Sequence, residues 1–174
     1  MSSARRVGLV LALLAAAPAS AQSHQGSLGL LLTGGFEYVT GVAFNGFSDR
    51  GFRVPVEVGG TLGLFTHSEL TLSGRVSPPI GPLTGVGLSF YGGLRNSFGY
   101  DLWRTFFDLQ VAVHATPFFS IGGRAGFGVM YELLPIMGIY AEVFAQFGGG
   151  VALRISFDAS IGVQFRTYLF DFGQ

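Results

Sequence analysis

Residues 53–65 read RVPVEVGGTLGLF, and this stretch decides the fold because its polarity alternates at every position. The even positions, from Val54 to Leu64, are apolar or glycine, and the odd positions, from Arg53 to Gly63, are polar or small. Successive side chains of a β-strand point to opposite faces, so a period of two predicts a strand with one oily face and one polar face.

The same alternation recurs along the chain and predicts eight strands. Glycine contributes 28 of 174 residues, and each glycine inside a helix would cost about 1 kcal/mol, which argues against helices. The predicted strands cover residues 27–38, 53–65, 68–77, 84–95, 105–116, 118–133, 138–154 and 159–170. Compact turns are predicted at 66–67, at Pro117 and at 156–158, with longer loops at 39–51 and 78–82. This order predicts an all-β, up-and-down antiparallel barrel.

Composition decides which face of the barrel meets solvent. Apolar residues make up 49% of the chain and charged residues only 11%, and the ten basic residues are all arginine. A soluble barrel normally exposes many lysines and glutamates, whereas here the polar face is mostly Gly, Ser, Thr and Gln. We therefore expect the apolar face to point outward into a membrane and the small polar face to line a narrow interior. A soluble barrel with an oily interior stays open as an alternative.

The predicted polar face carries acids and arginines in similar numbers. An unpaired buried charge costs several kcal/mol, so a narrow interior requires these groups to pair. A hairpin centred on Thr66 places Glu57 opposite Arg75, and one centred on Pro117 places Gln110 opposite Arg124. The predicted interior network comprises Glu37, Arg53, Glu57, Glu69, Arg75, Asp108, Gln110, Arg124, Glu132, Glu142, Arg154 and Arg166. We interpret this network as stabilising, without chemistry of its own.

Two further features concern the membrane. Aromatic residues at predicted strand ends are candidates for the belts that membrane barrels place at the two interfaces, namely Tyr38, Tyr100, Trp103, Tyr131 and Tyr140. Residues 1–21 combine Arg5 and Arg6, an apolar run and a small-x-small site that ends at Ala21. This order predicts a secretory signal peptide, cleaved near Ala21, which leaves residues 22–174 as the barrel domain.

The signal sequence, the eight amphipathic strands and the late aromatic alternation resemble the small bacterial outer-membrane barrels of the OmpX and OmpA-domain type. The ending is similar to that family's assembly signal at Tyr168, Phe170 and Phe172, although further residues follow. These aromatics lie on the opposite parity from the preceding strand, so a bulge near Arg166 or Thr167 is expected. The resemblance also implies short periplasmic turns and long outer loops, which would require residues 84–95 to be less than a full crossing.

Chemical motifs are scarce. The chain has no cysteine, and its histidines lack metal-ligand spacing, so we expect no metal and no cofactor. No basic field exists to bind nucleic acid. A hairpin centred on Pro117 brings His114 opposite Ser120, a weak candidate for a nucleophile and its base. Asp108 lies about 20 Å further along the strand, at about 3.3 Å per residue, and is too far away to orient the histidine.

These observations predict a non-enzymatic outer-membrane barrel of a Gram-negative bacterium, without an open pore. Its role would be structural, adhesive or that of a subunit of an envelope complex. Loop 39–51 is the longest exposed candidate for contacts, through Phe44, Asn45, Phe47, Asp49 and Arg50. Expected partners are outer-membrane lipid and lipopolysaccharide, the barrel assembly machinery during insertion, and an envelope protein. A barrel enzyme that removes or transfers lipid A acyl chains, and a soluble periplasmic lipid-binding barrel, are the alternatives.

Overall fold

The computed structural model describes residues 26–43, 48–81, 85–99 and 102–168, and within these ranges it is all-β. The predicted signal peptide, Tyr100 and the loop residues Phe44, Asn45 and Phe47 lie outside the described residues, as do Phe170 and Phe172. Among the described residues, no helix is long and apolar enough to span a membrane.

Ten strand segments form one closed sheet. They are β1 (Ser27–Ala43), β2 (Ser48–Arg53), β3 (Val56–Phe65), β4 (Ser68–Ser77), β5 (Pro79–Ile80), β6 (Gly87–Phe98), β7 (Trp103–Thr116), β8 (Ser120–Leu134), β9 (Met137–Gly150) and β10 (Ala152–Tyr168). Each neighbouring pair is antiparallel, and β10 pairs with β1 from Ala43↔Ala152 to Ser27↔Tyr168, which closes the barrel.

The ten segments amount to eight barrel strands. Segments β2 and β3 both pair with β1, so they are two parts of one strand that is interrupted at Val54 and Pro55. Segments β4 and β5 likewise continue one another, because β5 pairs with β2. The predicted eight-stranded, up-and-down antiparallel barrel is therefore confirmed.

The barrel has a termini end and a loop end. The termini end holds Ser27, Tyr168 and the turns at residues 66–67, 99–102 and 135–136, and the loop end holds the connections at 44–47, 81–86, 117–119 and 151. All of these connections are short, so the expectation of long loops at one end is wrong. Strand pairing simply continues further than the sequence pattern indicated.

Four further expectations require correction. Residues 39–51 are not a long loop, because β1 continues to Ala43 and β2 already begins at Ser48, so Asp49 and Arg50 are strand residues. Residues 156–158 lie inside β10 and not in a turn, and β6 is a full crossing that pairs with both β4 and β7. The register between β1 and β10 shows no bulge near Arg166 or Thr167, because pairing runs unshifted to Tyr168.

The polarity of the barrel is inverted relative to a soluble protein. Leu30, Leu72 and Ile161 are exposed on the outside, whereas charged side chains such as Glu37, Arg124 and Asp108 are buried inside. A soluble lipid-binding barrel requires the opposite arrangement, with the apolar face inside. The soluble alternative is therefore wrong.

Candidate functional site

The barrel interior is the largest concentration of polar chemistry in the described residues. Alternation along each strand points every second side chain inward, and the side chains that the structure describes on that face include seven acids and seven arginines. The inward acids are Glu37, Glu57, Glu69, Asp108, Glu132, Glu142 and Asp158, and the inward arginines are Arg53, Arg75, Arg95, Arg104, Arg124, Arg154 and Arg166. Equal numbers of opposite charges make a neutral interior, which is the composition that buried charges require.

A four-membered ion cluster fills the middle of the interior. Arg75 contacts Glu57 at 2.7 Å and Asp158 at 3.1 Å, and Arg124 contacts the same two acids at 3.1 and 3.4 Å. Glu57 on β3 and Arg124 on β8 belong to diametrically opposite barrel strands. Their direct contact means that side chains occupy the full cross-section at this level, as expected for an eight-stranded barrel.

Polar and aromatic neighbours complete this central cluster. Ser73 donates a hydrogen bond to Glu57 at 2.6 Å, and the side-chain amide of Gln146 donates to Asp158 at 2.6 Å. Arg124 also donates to Gln110 at 3.1 Å, across the hairpin that the sequence pattern predicted. Its guanidinium lies 3.5 Å from the centroid of the Phe144 ring, a cation–π contact that replaces part of the lost hydration.

A second cluster lies between the centre and the termini end. Arg95 forms a two-pronged contact with Asp108, with hydrogen bonds of 2.8 to 3.2 Å, and also reaches Glu142 at 3.1 Å. The Arg95 guanidinium stacks over Phe106 at 3.9 Å. Tyr140 closes this layer from β9 through a hydrogen bond between its hydroxyl and that of Thr33. Planar guanidinium groups suit such combined pairing and stacking, which lysine could not provide.

The two ends of the interior also hold ion pairs. At the termini end, Arg166 bridges Glu69 at 3.0 Å and Glu132 at 2.9 Å, and Glu132 also contacts Arg104 at 3.3 Å. At the loop end, Arg154 contacts Glu37 at 2.8 Å. Ion pairs therefore occur at successive levels of the interior, from one end of the barrel to the other.

At the loop end, Arg53 donates hydrogen bonds to backbone carbonyl groups. It donates to the oxygen of Ser77 at 3.1 Å and to that of Gly85 at 2.9 Å. The bond to Gly85 attaches the connection between β5 and β6 to the interior wall. All twelve residues of the predicted interior network thus point inward in the structure.

His114 and Ser120 face one another in the register, as the hairpin predicted, but they form no hydrogen bond. The Nδ1 atom of His114 instead lies 2.8 Å from the hydroxyl of Ser89, and Asp108 is held by Arg95. His114 and Ser120 are both fully buried. His114 is therefore not positioned as a base for Ser120, and the interior position of both residues separates them from lipid outside the barrel. In the described ranges, no group of three His, Cys, Asp or Glu could hold a metal.

The outer wall also carries aromatic pairs. Trp103 and Tyr131 pack together at the termini end, with ring centroids 4.8 Å apart, and Tyr38 packs against Phe52 at 5.1 Å nearer the loop end. Tyr140 does not belong to an interfacial belt, because it lies on the inward parity of β9 and is buried. The expectation for Tyr140 is therefore wrong.

Sequence reasoning missed several members of the interior network. Asp158 was expected in a turn, and Arg104 precedes the predicted start of its strand. Arg95, Gln146 and Gln164 lay on predicted polar faces but were not assigned to the network. For these last three residues, the alternation of the sequence already indicated an inward side chain. A prediction that ends β9 at Gly150 would also have placed Asp158 on the inward face of β10.

Comparison with known proteins supports the fold. No protein-family model matches the chain, and no curated protein matches it. Among solved structures, Neisserial surface protein A has 14% identity and a TM-score of 0.61, covering 81% of this chain and 99% of that chain. The N-terminal β-barrel domain of Pseudomonas aeruginosa OprF has 16% identity and a TM-score of 0.59, covering 84% and 100%.

Both are small outer-membrane barrels, and each match spans nearly all of that barrel. The chain has the fold of a small outer-membrane β-barrel. A further example of this outer-membrane barrel fold is Ail, the attachment invasion locus protein of Yersinia pestis, with 10% identity and a TM-score of 0.51, covering 82% of this chain and 99% of that one.

Proposed function

We propose that the chain is an integral outer-membrane β-barrel of a Gram-negative bacterium with a structural role or a role within an envelope complex. In this proposal the signal peptide is removed near Ala21, the barrel assembly machinery inserts the chain, and the termini end faces the periplasm. The observation that carries the proposal is the inverted polarity. An outer wall of exposed apolar side chains is stable only in lipid, and a closed barrel satisfies its backbone there.

A solute pore is not part of the proposal. The contact between Glu57 and Arg124 spans the interior from one wall to the opposite wall. The layers above and below are held by further ion pairs, among them those of Arg95 and Arg154. Opening a path would therefore require the separation of several buried ion pairs at once, each at a cost of several kcal/mol.

An adhesive role is the less favoured alternative. The structural relative Ail is named for attachment, and adhesive contacts outside a membrane are normally made by loops. The connections at the loop end are residues 44–47, 81–86, 117–119 and 151, which provide little surface above the membrane. The outer wall itself is the larger surface for contacts within the envelope.

We also propose that the barrel is not an enzyme. His114 and Ser120 are buried inside and bind no common partner. Lipid A should therefore keep the same mass spectrum after deletion and after overexpression of the gene. A new lipid A species with an acyl chain lost or gained would contradict this part of the proposal.

Membrane location and ion conduction together test the proposed function. The chain should remain in membrane pellets after a carbonate wash and should fractionate with the outer membrane. After reconstitution into planar lipid bilayers it should give no stable ionic current above the leak of the bilayer. Recovery in the soluble periplasmic fraction would contradict the membrane role, and a steady current would contradict the closed interior.

A further inference from the structure

One charged side chain departs from the pattern of the barrel. Among the strand residues whose side chains the structure describes, Arg50 is the only charged residue on the outer wall, while the seven other described arginines point inward. Arg50 lies on β2 opposite Thr40 and is exposed. A cation on a wall that is otherwise apolar requires a reason, because charge on a lipid-facing surface is destabilising unless it lies near the interface.

The guanidinium of Arg50 is held in place by a neighbour. Its Nε atom donates a hydrogen bond to the Tyr38 hydroxyl at 2.6 Å, and the Tyr38 ring packs against Phe52. Among the described residues, Arg50 makes no other side-chain hydrogen bond, so its two terminal nitrogens keep their donors for an external acceptor. A guanidinium with free terminal donors matches the paired oxygens of a phosphate.

The height of Arg50 on the barrel corresponds to the headgroup level of a membrane. Leu28 and Tyr38 are both outward residues of β1, ten positions apart. Ten steps of about 3.3 Å on a strand tilted by about 40° rise about 25 Å, the height of the apolar band of a membrane barrel. With the lower edge of the band set at Leu28, Arg50 lies just outside the upper edge, because it pairs with Thr40, two residues beyond Tyr38.

An apolar depression in the outer wall begins below Arg50. Its volume is about 630 Å³, and it is lined by Tyr38 and Phe52 at the upper side and by Phe36, Phe157 and Ala159 further down. Phenylalanine side chains form its walls, and the small side chain of Ala159 leaves room at its floor. Such a depression suits an acyl chain, and none of the acidic side chains that the structure describes points outward to repel an anionic headgroup.

We propose that Arg50 and Tyr38 bind the phosphate of an anionic outer-membrane lipid, with one acyl chain of that lipid in the depression below. The inference rests on the proposed membrane function and adds a specific lipid site at the loop end. With the termini end in the periplasm, the site faces the outer leaflet, whose phosphate-bearing lipid is lipopolysaccharide. The ligand class is a lipid that carries both a phosphate and long acyl chains.

A pair of lipids that differ only in the phosphate tests the site. The full barrel is purified in mild detergent and incubated with dipalmitoyl phosphatidate or with dipalmitoylglycerol, and native mass spectrometry counts the retained lipid. The wild type should retain phosphatidate about tenfold better than the uncharged lipid, and Arg50→Gln should lose this preference. Arg50→Lys is the matched control, which keeps the charge and most of the preference. Ala159→Leu should reduce retention of both lipids.

Heat-dependent migration on SDS gels reports folding for every variant and separates the two proposals. Suppose that wild type and variants shift on heating but Arg50→Gln retains phosphatidate as well as the wild type does. The proposed lipid site is then wrong, whereas the proposed membrane barrel is unaffected. If the wild type shows no shift and no membrane association, the proposed function itself fails. A preference that depends on Arg50 in a folded barrel supports the site.

Discussion

The central ion cluster should be coupled strongly enough to measure. Glu57 accepts hydrogen bonds from Ser73, Arg75 and Arg124 at 2.6, 2.8 and 3.1 Å. Glu57→Gln removes one negative charge and leaves the two arginines with Asp158 as the only acid in the cluster. Because removing one partner of a buried ion pair costs about 3–5 kcal/mol, the free energy of unfolding should fall by about 3 kcal/mol or more.

A second substitution should restore part of that loss. Arg124→Met removes the surplus positive charge of the Glu57→Gln variant and leaves Arg75 and Asp158 as a neutral pair. The double variant should therefore be less destabilised than the sum of the single variants, by about 1.5–3 kcal/mol. Methionine keeps a flexible apolar contact with the Phe144 ring in place of the cation–π contact.

The assay is urea unfolding from phospholipid vesicles, followed by tryptophan fluorescence. Trp103 is the only tryptophan, and its side chain is 64% exposed on the outer wall, so its emission reports the transfer from lipid to water. Thr167→Val, an outward substitution, is the control and should change the free energy by less than about 0.5 kcal/mol. A loss of less than about 1 kcal/mol in the free energy of unfolding of Glu57→Gln would refute the coupling. A double variant whose loss equals the sum of the losses of the two single variants would refute it as well.

Two further predictions concern packing and depth. Gly126→Ala should destabilise the barrel by about 1–3 kcal/mol, because its new methyl group would overlap the Phe144 ring. At Gly123 the atom nearest to an added Cβ is 4.0 Å away, so Gly123→Ala should be close to neutral. Equal unfolding midpoints for the Gly126→Ala and Gly123→Ala variants would contradict this account. Leu109→Arg, at the middle of β7 on the outer wall, should cost about 2–4 kcal/mol in vesicles. Phe65→Arg, at a strand end, should cost at most about 1 kcal/mol. A larger cost for Phe65→Arg than for Leu109→Arg would contradict the location of the apolar wall in lipid.

The alternation of polarity along the sequence was enough to predict most of the fold. Once the apolar face was placed outside, parity alone put Glu37, Asp108 and Arg154 in the interior. The pairs within one hairpin followed as well, because the turn at residues 66–67 fixes the register that sets Glu57 opposite Arg75. These features depend on local sequence, which explains why sequence analysis could reach them.

Contacts across the barrel could not be reached in this way. The contact between Arg75 and Asp158 joins residues 83 positions apart, and it exists only because β10 closes on β1. Glycine-rich strand ends also hid the true boundary between β9 and β10 at Val151, and this displaced Asp158 into a predicted turn. Tyr140 was assigned to the interface by its position near a strand end, although its parity already pointed it inward.

Migration of the outer-membrane fraction on SDS gels, with and without boiling, tests the central claim most directly, because folded membrane barrels resist SDS until they are heated. The account predicts that the unboiled chain migrates at a different apparent mass from the boiled chain, and that the difference is present in the outer-membrane fraction. A chain that migrates identically in both samples and fractionates with the soluble periplasm would contradict the inverted barrel.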